Sequence, residues 1–403
     1  MPAKHAKCVR PCRGARFEVA QIVRAHSAQL QQQQGLSREQ QQVLRALSHC
    51  RTAALGGHLQ VCRQCGHERP RYNSCRNRHC PKCQALAQYR WLKARVARIL
   101  PVHHFHVVFT LPAELRPLVM FNRRLLYGLL LSAAPHTLLT LGQDSKRLGA
   151  QLGISAVLHT WTRDLSFHPH VHCVVTGGGL AADGQTWVST RPGYLFPVRV
   201  LGALFRGKFL DGLRRLHEAG KLHLPPSLRS ASDFRECLAR LRAKRWLVYC
   251  KPPFGSAEAV YAYLGRYTHR IGVSDRRLLD VTEHEVRLRT REGKSACMTG
   301  VEFLRRFIQH VLPKGFVRIR HFGLLAASNA TTKLETARQL LEARTQPGAA
   351  ARAVHEKKSA ESAGHYVALY LELTGVDLHC CPVCGADALA QRPLLAWPRA
   401  PPS

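Results

Sequence analysis

The sequence predicts an α+β fold, on three observations. Stretches with strand alternation and stretches with helical spacing follow one another without a regular βαβ rhythm, which disfavours a doubly wound sheet. A Cys/His-rich block fills residues 50 to 83 and reads as a small metal-binding module set among helices. The stretch LHTWTRDLSFHPHVHCVVTGGGL, residues 158 to 180, then puts His168, His170 and His172 at alternate positions ahead of an apolar run. On a strand, residues i and i+2 share a face, so these imidazoles point one way while Val171, Cys173 and Val175 point into a core.

The elements follow in order. Residues 1 to 48 form an N-terminal segment that reads as helical from position 16, with QLQQQQ as a hydrophilic face or turn. After the Cys/His block, ALAQYRWLKARVARIL (85 to 100) has helical spacing and stops at Pro101. VHHFHVVFTLP (102 to 112) alternates and is β-branched, hence a strand. Helical segments fill 113 to 151, and GISAVLHTW and HPHVHCVVTGGGL read as two further strands. Helices follow from 200 to 245, then a short strand in WLVYCKPP. SAEAVYAYLGRYTHRI (256 to 271) is helix-like with Ser256 as N-cap. RRLLDVTEHEVRLRTREGKSACMTGV resembles two hairpin strands, VEFLRRFIQHVL an amphipathic helix, and a helix after 335 runs into the linker-like TQPGAAARAVHEKKSAESAG.

Lys and Arg number 60 against 25 Asp and Glu, a net charge of +35 spread along most of the chain. Such a surface calls for a polyanion, and nucleic acid is the leading partner. The basic N-terminus lacks an apolar core of a signal peptide, and LLYGLLLSAAPHTLLTL (125 to 141) is short for a membrane span and interrupted by Pro135 and His136. The expected location is therefore the cytoplasm, in association with the nucleoid. There the 15 cysteines stay reduced, and clustered ones read as metal ligands.

Cys62 and Cys65 form one CxxC, and Cys80 and Cys83 another. Zinc takes four soft ligands in a tetrahedron, and each CxxC turn supplies two, so the spacing pairs these four. Cys50, His58, Cys75 and His79 interleave and offer a second tetrahedron. A third pair, Cys381 and Cys384, has no evident partners. Arg69, Arg71, Arg76 and Arg78 sit on the same loop beside Tyr72, a set suited to phosphate contacts and base stacking.

Paired imidazoles on the 168–172 strand can hold a divalent cation that acts as a Lewis acid on a phosphate. In YAYLGRYTHR, Tyr263 and Tyr267 are four apart and share a helix face, with Arg266, Arg270 and Lys251 close in sequence. A phenol becomes a useful nucleophile when a metal and nearby cations stabilise the developing charge.

The strand HPHVH followed by YLGRYTHR resembles the two-tyrosine HUH transposases of the insertion-sequence-91 family. CRTAALGGH, YNSCRNRHCPKC, LHTW, GGGL, KPPFG and RIRHFGLLA fall in the family's order, so the resemblance covers nearly the whole chain. It implies an antiparallel-sheet HUH nuclease core and single-strand DNA cleavage and transfer at element ends, rolling-circle fashion. It implies Mg²⁺ or Mn²⁺ on His170 and His172, nucleophiles at Tyr263 and Tyr267, and an N-terminal zinc-binding domain for DNA recognition. The element order divides the chain into a helical segment at 1–48, a zinc-binding domain at 49–98, a catalytic domain at 99–335 and a C-terminal helix, linker and CxxC tail at 336–403. A third metal ligand has no motif of its own; His168 is the choice, with His106 and His269 as rivals. Two other readings share these features: a rolling-circle replication initiator or relaxase, and an inactive zinc-ribbon DNA-binding protein. Scarce acidic residues disfavour a carboxylate-triad transposase.

Overall fold

A computed structural model describes residues 16–251, 259, 265, 272–291, 293–345 and 379–395. Helices and antiparallel sheets are mixed, as an α+β chain requires. The chain opens with α1 (Val19–Gln33) and α2 (Arg38–Ser48), each started by a reciprocal capping box, Glu18 with Gln21 and Ser37 with Gln40. Next come β1 (Gly57–Cys62), β2 (Glu68–Tyr72) and α3 (Ala85–Val96).

The centre of the molecule is an antiparallel sheet built from β3 (His104–Thr110), β4 (Ala150–Trp161), β5 (Phe167–Ala181), β6 (Trp187–Ser189), β7 (Val248–Lys251) and β11 (Ile319–Gly323). Its order is β11-β4-β5-β3-β7, with β6 continuing the β3 side of β5. Between β3 and β4 lie α4 (Arg116–Phe121) and α5 (Arg123–Gln143); α6 (Val198–Glu218) and α7 (Ala231–Ala243) precede β7.

Alternation decides the two faces of the sheet. Phe105, Val107, Phe109, Ile154, Ala156, Leu158, Val171, Cys173 and Val175 all point to one side and are buried against α5 and α6. Each fully buried Val, Leu, Ile or Phe among them contributes about 1.5–3 kcal/mol. On the opposite side, Val157 and Val174 pack against Trp91 and Leu92 of α3. The histidines of β5 share that second face, where the β4–β5 turn and residues of the 272–294 segment, not the main core, border them.

α5 runs on through Pro135, where the sequence suggested a break; the side chains of His136 and Thr137 bond to the carbonyls of Ser132 and Ala133. It is long and apolar enough to cross a membrane by length and composition, but most of it is buried in the core. Its apolarity is what a helix between a sheet and another helix requires.

A second core joins α1 and α2 to α8 (Gly300–Ile308) and a small sheet. That sheet has three strands, β8 (Leu278–Val281), β9 (Val286–Arg289) and β10 (Ser295–Met298), where the sequence suggested two. The third was hidden because Ser295–Met298 alternates exposed with half-buried positions and buries nothing fully. α9 (Lys333–Thr345) packs through Leu334, Ala337 and Leu341 near Leu100, Leu180 and Trp187. The final strand, β12 (Leu389–Leu394), pairs antiparallel with β1, so the last described residues return to the N-terminal module.

Candidate active site and metal centres

The antiparallel register of β4 and β5 builds the site. His159 on β4 lies directly opposite His170 on β5, and Val157 lies opposite His172. Ring nitrogens of His159, His170 and His172 all fall within 4.8 Å of one another. Burial holds all three imidazoles below the ordinary histidine value, His170 down at about 4. They are therefore neutral at pH 7, the form that carries a lone pair for a metal.

Two hydrogen bonds orient the β5 rings. His170 Nδ1 donates to the backbone carbonyl of His168 at 2.6 Å, and His172 Nδ1 lies 2.8 Å from His106 Nε2 on β3. His170, which donates from Nδ1, presents its lone pair at Nε2, and the contact with His106 holds the His172 ring in place. The donor set and spacing fit a divalent cation.

His168 is not the third member of this cluster. Its Nδ1 lies 3.4 Å from an Arg116 guanidinium nitrogen, which turns the ring toward α4. The physical reason is strand geometry. His168 lies four positions from His172 along β5, about 13 Å of strand, whereas His159 comes from the neighbouring strand directly opposite His170, where Cβ atoms sit about 5 Å apart. His106, a rival for the same role, supports His172 from behind; His269 lies outside the described residues.

The three rings and His168 line a cleft of about 510 Å³. Its rim carries Arg163, Arg277, Arg291 and Lys294 with one acid, Asp164. Asp164 is a turn residue, accepting from Ser166 Oγ at 2.8 Å and from Thr162 Oγ1. Arg277 is anchored to the carbonyls of Gly272, Arg163 and Arg289. Sequence reading missed this cationic rim, because Arg163, Arg277 and Arg291 come from three separated loops that only the fold brings together.

Tyr263, Tyr267, Arg266 and Arg270 lie outside the described residues. Gly265 is helical and buried, and a Cβ placed on it would meet Trp91 of α3 at 3.6 Å. Gly272 lines the cleft. Lys251 is exposed at the end of β7, opposite His106.

The cysteines form two clusters, and the membership differs from the one spacing suggested. Cys50, Cys75, Cys80 and Cys83 come together, with Cys50 and Cys83 sulfurs 3.1 Å apart and Cys75 and Cys83 sulfurs 3.7 Å apart. Hydrogen bonding among the four thiols lowers Cys50 and Cys83 and raises Cys75 and Cys80, as one shared set of sulfurs requires. Four cysteine sulfurs gathered in this way are the donor set of a structural zinc site. Cys62 and Cys65 do not join Cys80 and Cys83; they meet Cys381 and Cys384. Consecutive CxxC pairs are separated here because β1 carries Cys62 away from the loop that holds Cys80. His58 and His79 belong to neither cluster. His58 sits at the start of β1 opposite Arg71, and His79 Nδ1 lies 3.1 Å from Asn77 Oδ1.

Cys50 and Cys80 share a buried core with Trp161 and Leu165 at the β4–β5 turn, so this cluster braces the end of the sheet that carries the histidines. Arg69 and Arg71 both donate to Gln60 Oε1, at 2.8 and 3.0 Å. Arg76 is exposed, Arg78 donates to the Phe316 carbonyl at 3.3 Å, and Tyr72 closes β2.

Residues 22–111 match the family described as "Transposase zinc-binding domain", and residues 153–333 match the family described as "Putative transposase". The chain is 45% identical over 377 residues to "Putative transposase y4qJ" of Sinorhizobium fredii (strain NBRC 101917 / NGR234), covering 91% of this chain and 92% of the relative. It is 30% identical over 310 residues to "Transposase for insertion sequence element IS801" of Pseudomonas savastanoi pv. phaseolicola, covering 74% and 73% respectively. No solved structure matches the chain significantly. The chain belongs to the transposases of the insertion-sequence-91 family, DNA-processing enzymes that carry a zinc-binding domain.

Proposed function

We propose that the protein nicks single-stranded DNA at the ends of an insertion sequence and joins it to target DNA through 5′-phosphotyrosine intermediates, in rolling-circle-like transposition. The observation that carries this reading is the cluster of three neutral imidazoles, His159, His170 and His172, in a cleft rimmed by Arg163, Arg277, Arg291 and Lys294. A Mg²⁺ or Mn²⁺ ion bound by these histidines would polarise the scissile phosphate as a Lewis acid. The basic rim draws the phosphodiester in and offsets its charge.

Tyr263 and Tyr267 are the nucleophiles; Tyr267 is five residues before Gly272 of the cleft wall. The phenol oxygen attacks phosphorus, the bond to O3′ breaks, and the proton given up by the phenol is balanced by protonation of the departing 3′-hydroxyl. The bond energy is stored in the phosphotyrosine, and the second tyrosine serves the target strand while the first remains joined. Lys251, Arg266 and Arg270 steady the strand near the tyrosines. Arg69, Arg71, Tyr72, Arg76 and Arg78 of the zinc-binding module hold the element end, single-stranded or as a hairpin. The reaction takes place in the cytoplasm, on nucleoid DNA. A replication initiator would share the first step; the family matches favour transposition.

The test is an oligonucleotide carrying the element end. Nicking is expected with Mg²⁺ or Mn²⁺, is expected to stop with EDTA, and is expected to disappear in the double variant Tyr263→Phe/Tyr267→Phe. A covalent adduct from that double variant would overturn the tyrosine assignment.

A further inference from the structure

We propose that Cys62, Cys65, Cys381 and Cys384 form a second, split zinc site that clasps the C-terminal strand β12 onto the N-terminal zinc-binding module. The family match for that module ends at residue 111, so half of this site lies far outside it in sequence. The proposal stands independently of the nuclease reading.

The two halves are built alike. CRQCG, residues 62 to 66, and CPVCG, residues 381 to 385, share the pattern CxxCG. In the first, Gly66 N–H donates to the Cys62 carbonyl and Cys62 N–H to the His67 carbonyl, both at 2.9 Å. In the second, Gly385 N–H donates to the Cys381 carbonyl and Cys381 N–H to the Ala386 carbonyl, again both at 2.9 Å. Both glycines take a left-handed conformation, φ 72° and 75°, which a side chain would strain. Two turns of identical hydrogen-bond pattern, each presenting two thiols, are the knuckles from which a four-cysteine zinc site is assembled.

The thiols meet at the right distance. Cys62 and Cys384 sulfurs are 3.6 Å apart, as are Cys65 and Cys381. Zn–S bonds of about 2.3 Å in a tetrahedron put sulfurs about 3.8 Å apart. A disulfide would need about 2.05 Å. The Val383 N–H also points at Cys381 Sγ, 3.5 Å away.

Backbone pairing supports the same clasp. β12 runs antiparallel to β1 from Gly57–Leu394 to Cys62–Leu389, and Arg63 N–H donates to the Ala388 carbonyl at 2.9 Å between the knuckles. β12 itself buries little: Gln391, Arg392 and Pro393 are exposed. An exposed, mostly polar strand has too little apolar burial to hold itself in place, and a shared metal supplies the missing tie. Cys65 and Cys384 are exposed, so a chelator can reach the site, whereas Cys50 and Cys80 of the other cluster are buried.

The experiment is zinc counting by native mass spectrometry on the full chain. Wild type is expected to carry two zinc ions, and Cys381→Ala/Cys384→Ala one. Cys62→Ala/Cys65→Ala is also expected to carry one, and the quadruple variant still one, because the two pairs share a single ion. Limited proteolysis provides a second reading: the segment 379–395 is expected to be protected in wild type and cut rapidly in Cys62→Ala/Cys65→Ala, although its own cysteines are intact. If Cys62→Ala/Cys65→Ala does not accumulate, wild type against Cys381→Ala/Cys384→Ala decides alone. A wild-type count of one, or a count left at two by Cys381→Ala/Cys384→Ala, overturns the proposal.

Discussion

Replacing His106 with phenylalanine should weaken binding of the proposed divalent cation without touching any of the three histidines proposed to hold it. His106 Nε2 lies 2.8 Å from His172 Nδ1, and the two ring planes lie within 15° of each other, 5.0 Å between centroids. Phenylalanine keeps a ring in that place but removes the ring nitrogen. His172 then loses the hydrogen bond that orients it. Loss of such a supporting partner lowers metal affinity by about 10–100-fold, which is about 1.4–2.7 kcal/mol. The assay is calorimetric titration of Mn²⁺ into Tyr263→Phe/Tyr267→Phe protein with and without His106→Phe, with zinc content as a check on folding. An unchanged Mn²⁺ affinity at unchanged zinc content would refute the reasoning, because His106 would then have no part in orienting the site.

Three further outcomes are expected. His159→Ala should abolish divalent-ion-dependent nicking, whereas His168→Ala should leave ion affinity close to wild type, measured by rate against Mn²⁺ concentration; the reverse order would restore His168 as the third ligand. Gly272→Ala should destabilise the protein by about 1–3 kcal/mol and depress nicking, since the new Cβ would run into the Trp161 ring, which itself stacks on His159 at 4.9 Å; a denaturant melt and a nicking rate read both. Burial pushes His310 down to about 3, with its Nε2 donating to the Leu165 carbonyl at 3.0 Å. Its value in the unfolded chain is about 6.5, so the folded state favours the neutral ring. This share of stability is complete above about pH 6.5 and is lost as pH falls toward 3, amounting to about 2 kcal/mol at pH 5. His310→Gln should therefore flatten the fall in stability between pH 7 and pH 5; an unchanged slope would contradict it.

Much of the framework was legible in the residues. The alternation HPHVHCVV separates a polar from a buried face by period alone, and Val171, Cys173 and Val175 are indeed fully buried. The helix 85–96 and the strand 104–110 carry their own periodicity and end at or near a proline. The third histidine was not legible, although His159 stands in plain view in LHTW. It becomes a partner of His170 only through the β4–β5 register, and that register bears a bulge between His159 and Trp161. Local spacing likewise paired the wrong cysteines. CxxC distance along the chain favours the nearest neighbour, whereas the fold joins Cys62 to Cys384 across 322 residues. A usable signal was present in the repeated glycine of CRQCG and CPVCG, which CPKCQ at 80 to 84 lacks. The basic rim of the cleft had no local pattern, since its members come from separate loops.

The most direct measurement of the central claim is the identity of the residue joined to DNA. The protein is incubated with a single-stranded element end and Mn²⁺, the adduct is digested with protease and nuclease, and the linked peptide is sequenced by mass spectrometry. The expected result is a nucleotide on the phenol oxygen of Tyr263 or Tyr267, with no adduct when His159 is replaced by alanine. An adduct on any other side chain, or one that forms equally well without His159 and without the added ion, would contradict the account.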